Sequence, residues 1–204
     1  MKKSKHLSGL VLTAVFSALL CIISPITLPF GAVPFTLSVF AVCCVSTVLE
    51  KKSAFCVLLY ILIGAAGLPV FAGFAGGMGV LAGATGGFII GYIPFSLITR
   101  LGAKKCKSFW AQTLVSLIGL VICYILGCIW YFATTKSGLW QGLTVCVFPF
   151  IIPDILKIAA GVLCGRKIKK IITSVIKEAK ATVFENFDEN IFFNFSFMSI
   201  LYFF

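Results

Sequence analysis

Acidic residues and histidine are scarce in this chain. It has six Asp and Glu residues and one His among 204 residues, and 11% of its residues are charged, whereas a soluble domain averages about a quarter. This shortage of charge excludes an ordinary soluble domain. Because His6 lies in the basic N-terminal segment, the apolar regions contain no Cys/His or Ser/His/Asp set. The sequence therefore predicts no catalytic residues and no enzyme activity.

Two other kinds of motif are missing. No Gly-x-x-x-x-Gly-Lys-Ser/Thr segment occurs, which argues against ATP binding by a Walker A loop. The nine cysteines lie almost entirely in apolar runs and show no Cys-x-x-Cys spacing, so we expect them to pack as small buried groups. The sequence predicts neither a metal site nor a cofactor bound by this chain.

Long apolar runs dominate instead, and 60% of the residues are hydrophobic. A run of about 18 or more apolar residues is long enough to cross a bilayer as a helix. The chain is therefore predicted to be an all-α polytopic membrane protein with six transmembrane helices. These are expected at about residues 7–24, 33–49, 53–71, 80–101, 109–133 and 143–165. The first run resembles a signal peptide, but no small residue precedes Cys21, and we expect it to remain as span one.

Basic residues cluster on one side of these spans. Fifteen of the 17 Lys and Arg residues precede span one or follow spans two, four and six, whereas the opposite loops contain only Lys136. The positive-inside rule therefore predicts a multi-pass protein of the cytoplasmic membrane with both termini in the cytoplasm. Because the basic residues form short clusters between apolar runs, the net charge of +11 indicates topology and not nucleic-acid binding.

The composition changes after the last span. Residues 1–170 are expected to form the transmembrane domain, and residues 171–204 a cytoplasmic tail that is first basic and then rich in Phe. The last apolar run, 191–204, has about fourteen residues and is too short to span a bilayer comfortably. We expect this tail to be interfacial or disordered.

One acidic residue lies within a predicted span. Asp154 is the only carboxylate between Glu50 and Glu178, and Lys157 follows three positions later. On a helix this spacing brings the two side chains together. An ionisable group inside a membrane is costly unless it is paired or faces a wet cavity. The pair therefore either fixes helix packing or marks a functional site.

Irregular backbone is predicted at two places. Pro149 and Pro153 lie just before Asp154, and each removes a backbone donor, so a kinked or unwound segment is expected there. Residues 67–79 and 83–87 are rich in glycine, which allows positive φ and close backbone approach. This second region is either a tight turn with small-residue packing or part of a ligand site.

Six stretches closely resemble the BioY family, the biotin-specific substrate-binding (S) components of energy-coupling factor (ECF) transporters. They include residues 64–73 (GAAGLPVFAG) and 149–157 (PFIIPDILK). The others are residues 32–37, 58–60, 76–81 and 85–87. The resemblance runs in order from about residue 7 to 168 and stops before the tail.

This resemblance implies an ECF S-component-like bundle of six helices and high-affinity capture of biotin. It also implies partners: a transmembrane coupling (T) protein and two ABC-type ATPases, which would hydrolyse the ATP. Docking in such families uses small residues on the first helix, and Ala14 and Ala18 match them. Close backbone approach is the physical reason. The alternative is that Ala14 and Ala18 pack against the chain's own helices.

The ligand gives the isolated acid a chemical role. The ureido ring of biotin has two N–H donors and one carbonyl, and a desolvated carboxylate accepts such a donor strongly. Asp154 is the predicted contact, while Lys157 either neutralises Asp154 in the empty site or contacts the carboxylate of the vitamin. The remaining predicted site residues wall the ring, since such sites are mainly apolar. They are Phe71, Ala75, Gly76, Gly77 and Phe88.

Four positions depart from the family pattern. Phe88 stands where many members have Tyr, Ala75 where Asn or Ser is common, Ser38 for a frequent Gln, and Ala84 for Pro. Loss of a phenol and an amide would remove up to two hydrogen bonds, each worth on the order of 1 kcal/mol. The departures bear on the affinity and pose of the ligand and leave the substrate unchanged.

Two other classes of function fit the same residues. A proton-coupled secondary transporter of a vitamin-like substrate would use Asp154 as its relay. A structural membrane protein would bind no ligand and would tolerate Asp154→Asn.

Overall fold

The structure is a computed structural model. It describes the backbone of residues 2–28, 35–136, 140, 143–144 and 147–201, and the side chains of residues 9–27, 35–136, 140, 143–144 and 147–178. Helices account for most of this backbone. They are α1 (Lys2–Ile23), α2 (Ser38–Leu49), α3 (Ser53–Ala65), α4 (Met78–Ala82), α5 (Gly86–Lys105), α6 (Phe109–Thr135) and α7 (Ile151–Leu201).

Short irregular elements connect these helices. Strands β1 (Thr27–Leu28) and β2 (Phe35–Thr36) pair antiparallel, with Thr27 opposite Thr36. Single 3-10 turns occur at Glu50–Lys52, Ala72–Phe74 and Phe148–Phe150. The β1–β2 pair joins residues just after α1 to residues just before α2, where the composition predicted only helix and loop.

The helices agree with the predicted spans in type but differ in length. Three of the described helical segments are long and apolar enough to cross a membrane: Gly86–Lys105, Phe109–Thr135 and Phe148–Glu178. In predicted spans two and three, α2 and α3 have 12 and 13 residues, which is less than the predicted length. Apolar composition alone does not show where a helix gives way to a packed loop, and both sequences continue apolar into such loops.

Predicted spans four and six contain breaks. Span four divides into α4 and α5 around Gly83, whose N–H donates to the Val80 carbonyl. In span six the 3-10 turn Phe148–Phe150 contains Pro149, and α7 begins at Ile151. Pro153 therefore lies in the first turn of α7, where its missing N–H breaks no helical hydrogen bond. The predicted irregularity is a helix start at this point, and Pro153 itself causes no kink.

Helices α5 and α6 form a closely packed hairpin, joined by residues 106–108. Small residues allow their approach: a Cβ at Gly91 would meet the Cys123 thiol at 2.8 Å, and one at Gly119 would meet the Phe95 ring at 3.1 Å. Close packing at small residues is a usual source of helix association in membranes. Four of the eight described cysteines, Cys43, Cys44, Cys56 and Cys123, are buried, and all eight are free thiols.

A buried polar network joins α2, α6 and α7. The side chain of Gln112 is 1% exposed; it donates to the Thr47 hydroxyl (3.0 Å) and accepts from Arg166 Nε (2.7 Å). Arg166 Nη2 also donates to the backbone carbonyls of Lys107 and Ser108, at 3.0 and 2.8 Å. Arg166 therefore ties α7 to the α5–α6 connection.

Contacts divide the chain into two compact units, Met1–Arg166 and Lys167–Phe204. The expected boundary lay at residue 170. The cavity described below lies within the first unit. In the second unit, residues 167–178 are helical and largely exposed.

Candidate ligand-binding site

The first unit contains a cavity of about 290 Å³. It lies between α2, α3, α5, α6 and the first turns of α7, and β2, α4 and the loop after α3 also line it. The volume is at the lower end of the range for small-molecule pockets. Its lining residues are Thr36, Ser38, Val39, Tyr60, Phe71, Ala72, Ala75, Val80, Thr85, Phe88, Ile89, Tyr92, Leu120, Cys123, Tyr124, Phe150, Asp154 and Lys157.

The predicted ion pair is present in this cavity. Lys157 Nζ lies 2.7 Å from Asp154 Oδ1. The two residues are 8% and 3% exposed. Asp154 lies in the first turn of α7, where unsatisfied N–H groups favour a carboxylate. A buried charge without a partner would be strongly destabilising, so the pair accounts for the presence of both residues at this depth.

Tyr124 from α6 is a third member of this polar group. Its hydroxyl donates to Asp154 Oδ2 at 2.7 Å. Each carboxylate oxygen therefore holds one donor, and each keeps a lone-pair direction for a further one. Tyr124 was not among the site residues predicted from the sequence. A usable signal was available, because a Tyr in mid-span needs a hydrogen-bond partner when buried.

Two aromatic residues position Lys157. Its Nζ lies 3.5 Å from the centroid of the Phe35 ring, within the range of a cation–π contact. The Phe35 ring stacks against Phe150, with centroids 6.4 Å apart and planes at 20°. Strand β2 supplies Phe35, and the 3-10 turn before α7 supplies Phe150. Neither was among the predicted site residues, although both lie in stretches that carry the family resemblance.

Three predicted wall residues line the cavity: Phe71, Ala75 and Phe88. Phe71 is 0% exposed and meets Tyr60 edge to face, with centroids 5.6 Å apart. The Phe71 N–H donates to the Ala75 carbonyl at 2.9 Å, which holds these two residues together. Ser38, noted as a departure from the family pattern, also lines the cavity.

Gly76 and Gly77 do not line the cavity. A Cβ at Gly76 would collide with the Leu68 carbonyl oxygen. Gly77 has a φ of +94° and donates its N–H to the Gly64 carbonyl at 2.7 Å. These glycines let the loop fold back onto the end of α3, which places Phe71 and Ala75 in the wall. The prediction that Gly76 and Gly77 contact the ligand directly is therefore not supported by their positions outside the cavity.

The predicted docking residues lie away from the cavity. Ala14 and Ala18 are exposed on α1, and the exposed apolar side chains Leu10, Val15 and Leu19 flank them. The alternative prediction was that these two alanines pack against the chain's own helices. Their exposure among the described residues does not support such packing. Docking on a partner stays a prediction.

The chemistry of the cavity suits a mostly apolar ligand with a hydrogen-bonding edge. Within the described residues, no three His, Cys, Asp or Glu side chains are grouped so as to hold a metal ion. The carboxylate, the ammonium and the Tyr124 phenol form one hydrogen-bonded group, and the rest of the wall is mostly aromatic and aliphatic, with hydroxyl groups from residues such as Ser38 and Thr85. Such a site binds and orients a molecule by a few polar contacts.

Comparison with known proteins gives concordant results. The BioY family model matches residues 1–174. A protein of Pyrococcus horikoshii named "Probable biotin transporter BioY" is 38% identical over 168 residues, which are 82% of this chain and 98% of that protein. A "Biotin transporter BioY" of Thermotoga maritima is 37% identical over 163 residues, 79% of this chain and 96% of that protein.

A solved structure shares the fold. The crystal structure of the S-component for biotin from an ECF-type ABC transporter aligns with a TM-score of 0.74 and 22% sequence identity. The alignment covers 83% of this chain and 95% of that one. The predicted all-α S-component-like fold of a polytopic membrane protein is therefore confirmed.

Proposed function

The chain belongs to the BioY family, and from this membership and the polar group in its cavity we propose that it captures biotin as the substrate-binding component of an ECF transporter. The observation that carries the proposal is the buried Asp154–Lys157 pair, together with the Tyr124 hydroxyl that donates to Asp154, inside a mostly apolar cavity. The relatives are named as transporters, and the chain is a transport protein and not an enzyme.

Biotin matches the cavity in polarity. An N–H of the ureido ring is a donor for the free lone-pair direction on Asp154, and the carbonyl beside it is an acceptor for a donor adjacent to that carboxylate. The ammonium of Lys157, 2.7 Å from Asp154, is such a donor. Lys157 can instead reach the vitamin's own carboxylate, and both roles are compatible with an ion pair in the empty site. The apolar bicycle then packs against Phe71 and Phe88.

Transport requires energy that this chain does not supply. We expect a transmembrane coupling protein and two ABC-type ATPases to hydrolyse the ATP, with Ala14 and Ala18 on α1 as the docking face. Small exposed residues favour this role because they allow a partner helix to approach closely. The distribution of Lys and Arg supports a location in the cytoplasmic membrane with both termini in the cytoplasm.

Equilibrium binding of labelled biotin to the purified protein tests the proposal. Asp154→Asn should weaken binding by roughly 10- to 100-fold, because it removes a charged acceptor. Glu50→Gln is the matched control, since it makes the same chemical change outside the cavity and should bind as the wild type does. Unlabelled desthiobiotin, which keeps the ureido ring, should compete, whereas lipoic acid, which has the carboxylate but no ureido group, should not.

Three outcomes would contradict the proposal. Displacement of biotin by thiamine or riboflavin would show a different substrate. Wild-type affinity in a folded Asp154→Asn variant would remove Asp154 from the site. Absence of any biotin binding would favour the alternative of a structural membrane protein.

A further inference from the structure

The second unit contains a helical segment whose polar and apolar residues are fully segregated. In residues 167–178 every apolar side chain falls at positions i, i+3, i+4, i+7 and i+8. These residues are Ile168, Ile171, Ile172, Val175 and Ile176. At 100° per residue they occupy an arc of about 140°. The opposite face carries the polar residues Lys167, Lys169, Lys170, Thr173, Ser174, Lys177 and Glu178, four of which are basic and one acidic.

The apolar arc is accessible. Ile171 is 60% exposed, Val175 56% and Ile176 37%. The positive-inside rule accounts for the lysines, because it requires only positive charge beside a span. It does not account for a continuous stripe of Ile and Val. That stripe needs a separate apolar environment.

Length also separates this segment from the membrane-spanning residues. The candidate span Phe148–Glu178 has 31 residues, and the hydrocarbon core of a bilayer needs about 20. About 11 residues of this helix therefore exceed the length that the hydrocarbon core can hold. The segment from Lys167 to Glu178 has about this length.

We propose that residues 167–178 form a basic amphipathic helix that binds the surface of an anionic lipid bilayer. The Ile and Val stripe enters the boundary between headgroups and acyl chains, and the lysines contact anionic headgroups. The bilayer is the occupant because it offers an apolar layer beside a negatively charged one, and this pairing complements the two faces of the helix. A multi-pass protein also keeps such a surface within reach.

Site-specific photo-crosslinking in the full-length protein tests this assignment. p-Benzoylphenylalanine replaces either Val175 on the apolar face or the adjacent Ser174 on the polar face, both of which are exposed. The protein is reconstituted in phosphatidylcholine vesicles with or without phosphatidylglycerol, and lipid adducts are measured by mass spectrometry. We expect several-fold more lipid adduct at position 175 than at 174, and a further several-fold increase with phosphatidylglycerol that high salt abolishes.

Charge variants test the role of the lysines. The combined change Lys169→Gln, Lys170→Gln and Lys177→Gln should remove the effect of phosphatidylglycerol. Lys104→Gln, Lys105→Gln and Lys107→Gln remove the same charge at the end of α5 and in the α5–α6 connection, and this variant should retain the effect of phosphatidylglycerol. Biotin binding, which uses a cavity in the other unit, reports that each variant is folded.

Four results would overturn the proposal. They are equal lipid adducts at positions 174 and 175, the same yield with and without phosphatidylglycerol, adducts to protein in place of lipid, and loss of the lipid effect in the Lys104, Lys105 and Lys107 variant. Adducts to protein would assign the apolar stripe to a protein contact.

Discussion

At the scale of single residues, three side chains form the hydrogen-bonded ion-pair group of the cavity. Lys157 and Tyr124 each hold one oxygen of Asp154 at 2.7 Å. A carboxylate held from both sides cannot rotate freely, and its remaining lone pairs point in fixed directions. Such preorganisation lowers the entropic cost of binding a ligand.

Tyr124→Phe should weaken biotin binding by about tenfold, because it removes one hydrogen bond to a charged acceptor and lets Asp154 reorient. Tyr131→Phe is the matched control: it lies on the same helix, outside the cavity lining, and should bind normally. Titration calorimetry measures both affinities. Tyr124→Phe should add little further loss to Asp154→Asn, because both changes disrupt one interaction. Additive losses would show that Tyr124 acts independently of Asp154.

Lys157→Met should lower the thermal stability of the ligand-free protein in detergent. The expected loss is roughly 3 kcal/mol, since a buried carboxylate would be left without its counter-charge. The double variant Asp154→Asn with Lys157→Met should recover most of the stability but not biotin binding. Recovery of both properties would assign the pair a packing role only, and recovery of neither would show that each residue has other essential contacts.

At the scale of secondary-structure elements, the loop after α3 forms one wall of the cavity. Its backbone is tied to α3 by the bond from Gly77 N–H to the Gly64 carbonyl. Gly64 also leaves room for the fully buried Phe71 ring, which a Cβ at that position would strike. Gly64 therefore both anchors the loop backbone and sets the position of the Phe71 ring.

Gly64→Ala should reduce biotin affinity by about tenfold, because overpacking displaces the Phe71 ring toward the cavity. Gly79→Ala is the matched control, since a Cβ at Gly79 would meet nothing within 4 Å. Combining Gly64→Ala with Phe71→Leu should restore part of the affinity by providing space for the new methyl group. Equilibrium dialysis measures the biotin affinity of each variant. An unchanged affinity in Gly64→Ala would show that Phe71 moves away from the ligand and not toward it.

At the scale of the whole molecule, the proposed function separates binding from energy supply. The first unit contains the candidate ligand cavity among its helices, while α1 presents exposed small and apolar residues elsewhere on its surface. Under this proposal the chain captures the ligand, and partner proteins supply the energy for its transport. A proton-coupled carrier would use Asp154 differently, by releasing and taking up protons in each cycle.

Biotin uptake by cells that contain the chain and its coupling proteins should therefore continue when an uncoupler dissipates the proton gradient at constant ATP. Uptake should stop when ATP is depleted, and radiolabelled biotin measures both rates. As a control for assembly, Ala14→Leu with Ala18→Leu should bind biotin normally but lose uptake, whereas the small replacements Ala14→Ser and Ala18→Ser should retain it. Collapse of uptake with the gradient alone would support the secondary transporter.

Much of the fold could be predicted because lipid restricts the choices. Apolar runs must form helices in a bilayer, since no water satisfies an exposed backbone there. The prediction of helices was therefore correct, but several predicted helix ends differ from those in the structure. The starts of α2 and α7 depend on the β1–β2 pair and on the 3-10 turn at Phe148–Phe150, which composition does not reveal.

Only part of the candidate site could be predicted from the sequence. Asp154 and Lys157 were found because charge is rare in an apolar run and their spacing fits a helix. Tyr124 and Phe35 were missed because they contact the pair from α6 and β2, about 30 and 120 positions away along the chain. Only helix packing brings such residues together.

The sequence by itself determined that the chain is a helical membrane protein with one ion pair inside its last predicted span, because each of these properties depends on local composition and spacing. The tertiary structure decided which groups surround that pair. It placed Tyr124 on one oxygen, Phe35 beneath the ammonium, and Gly76 and Gly77 outside the cavity, because the lining of a pocket depends on how separate elements pack and not on the order of residues within any one of them.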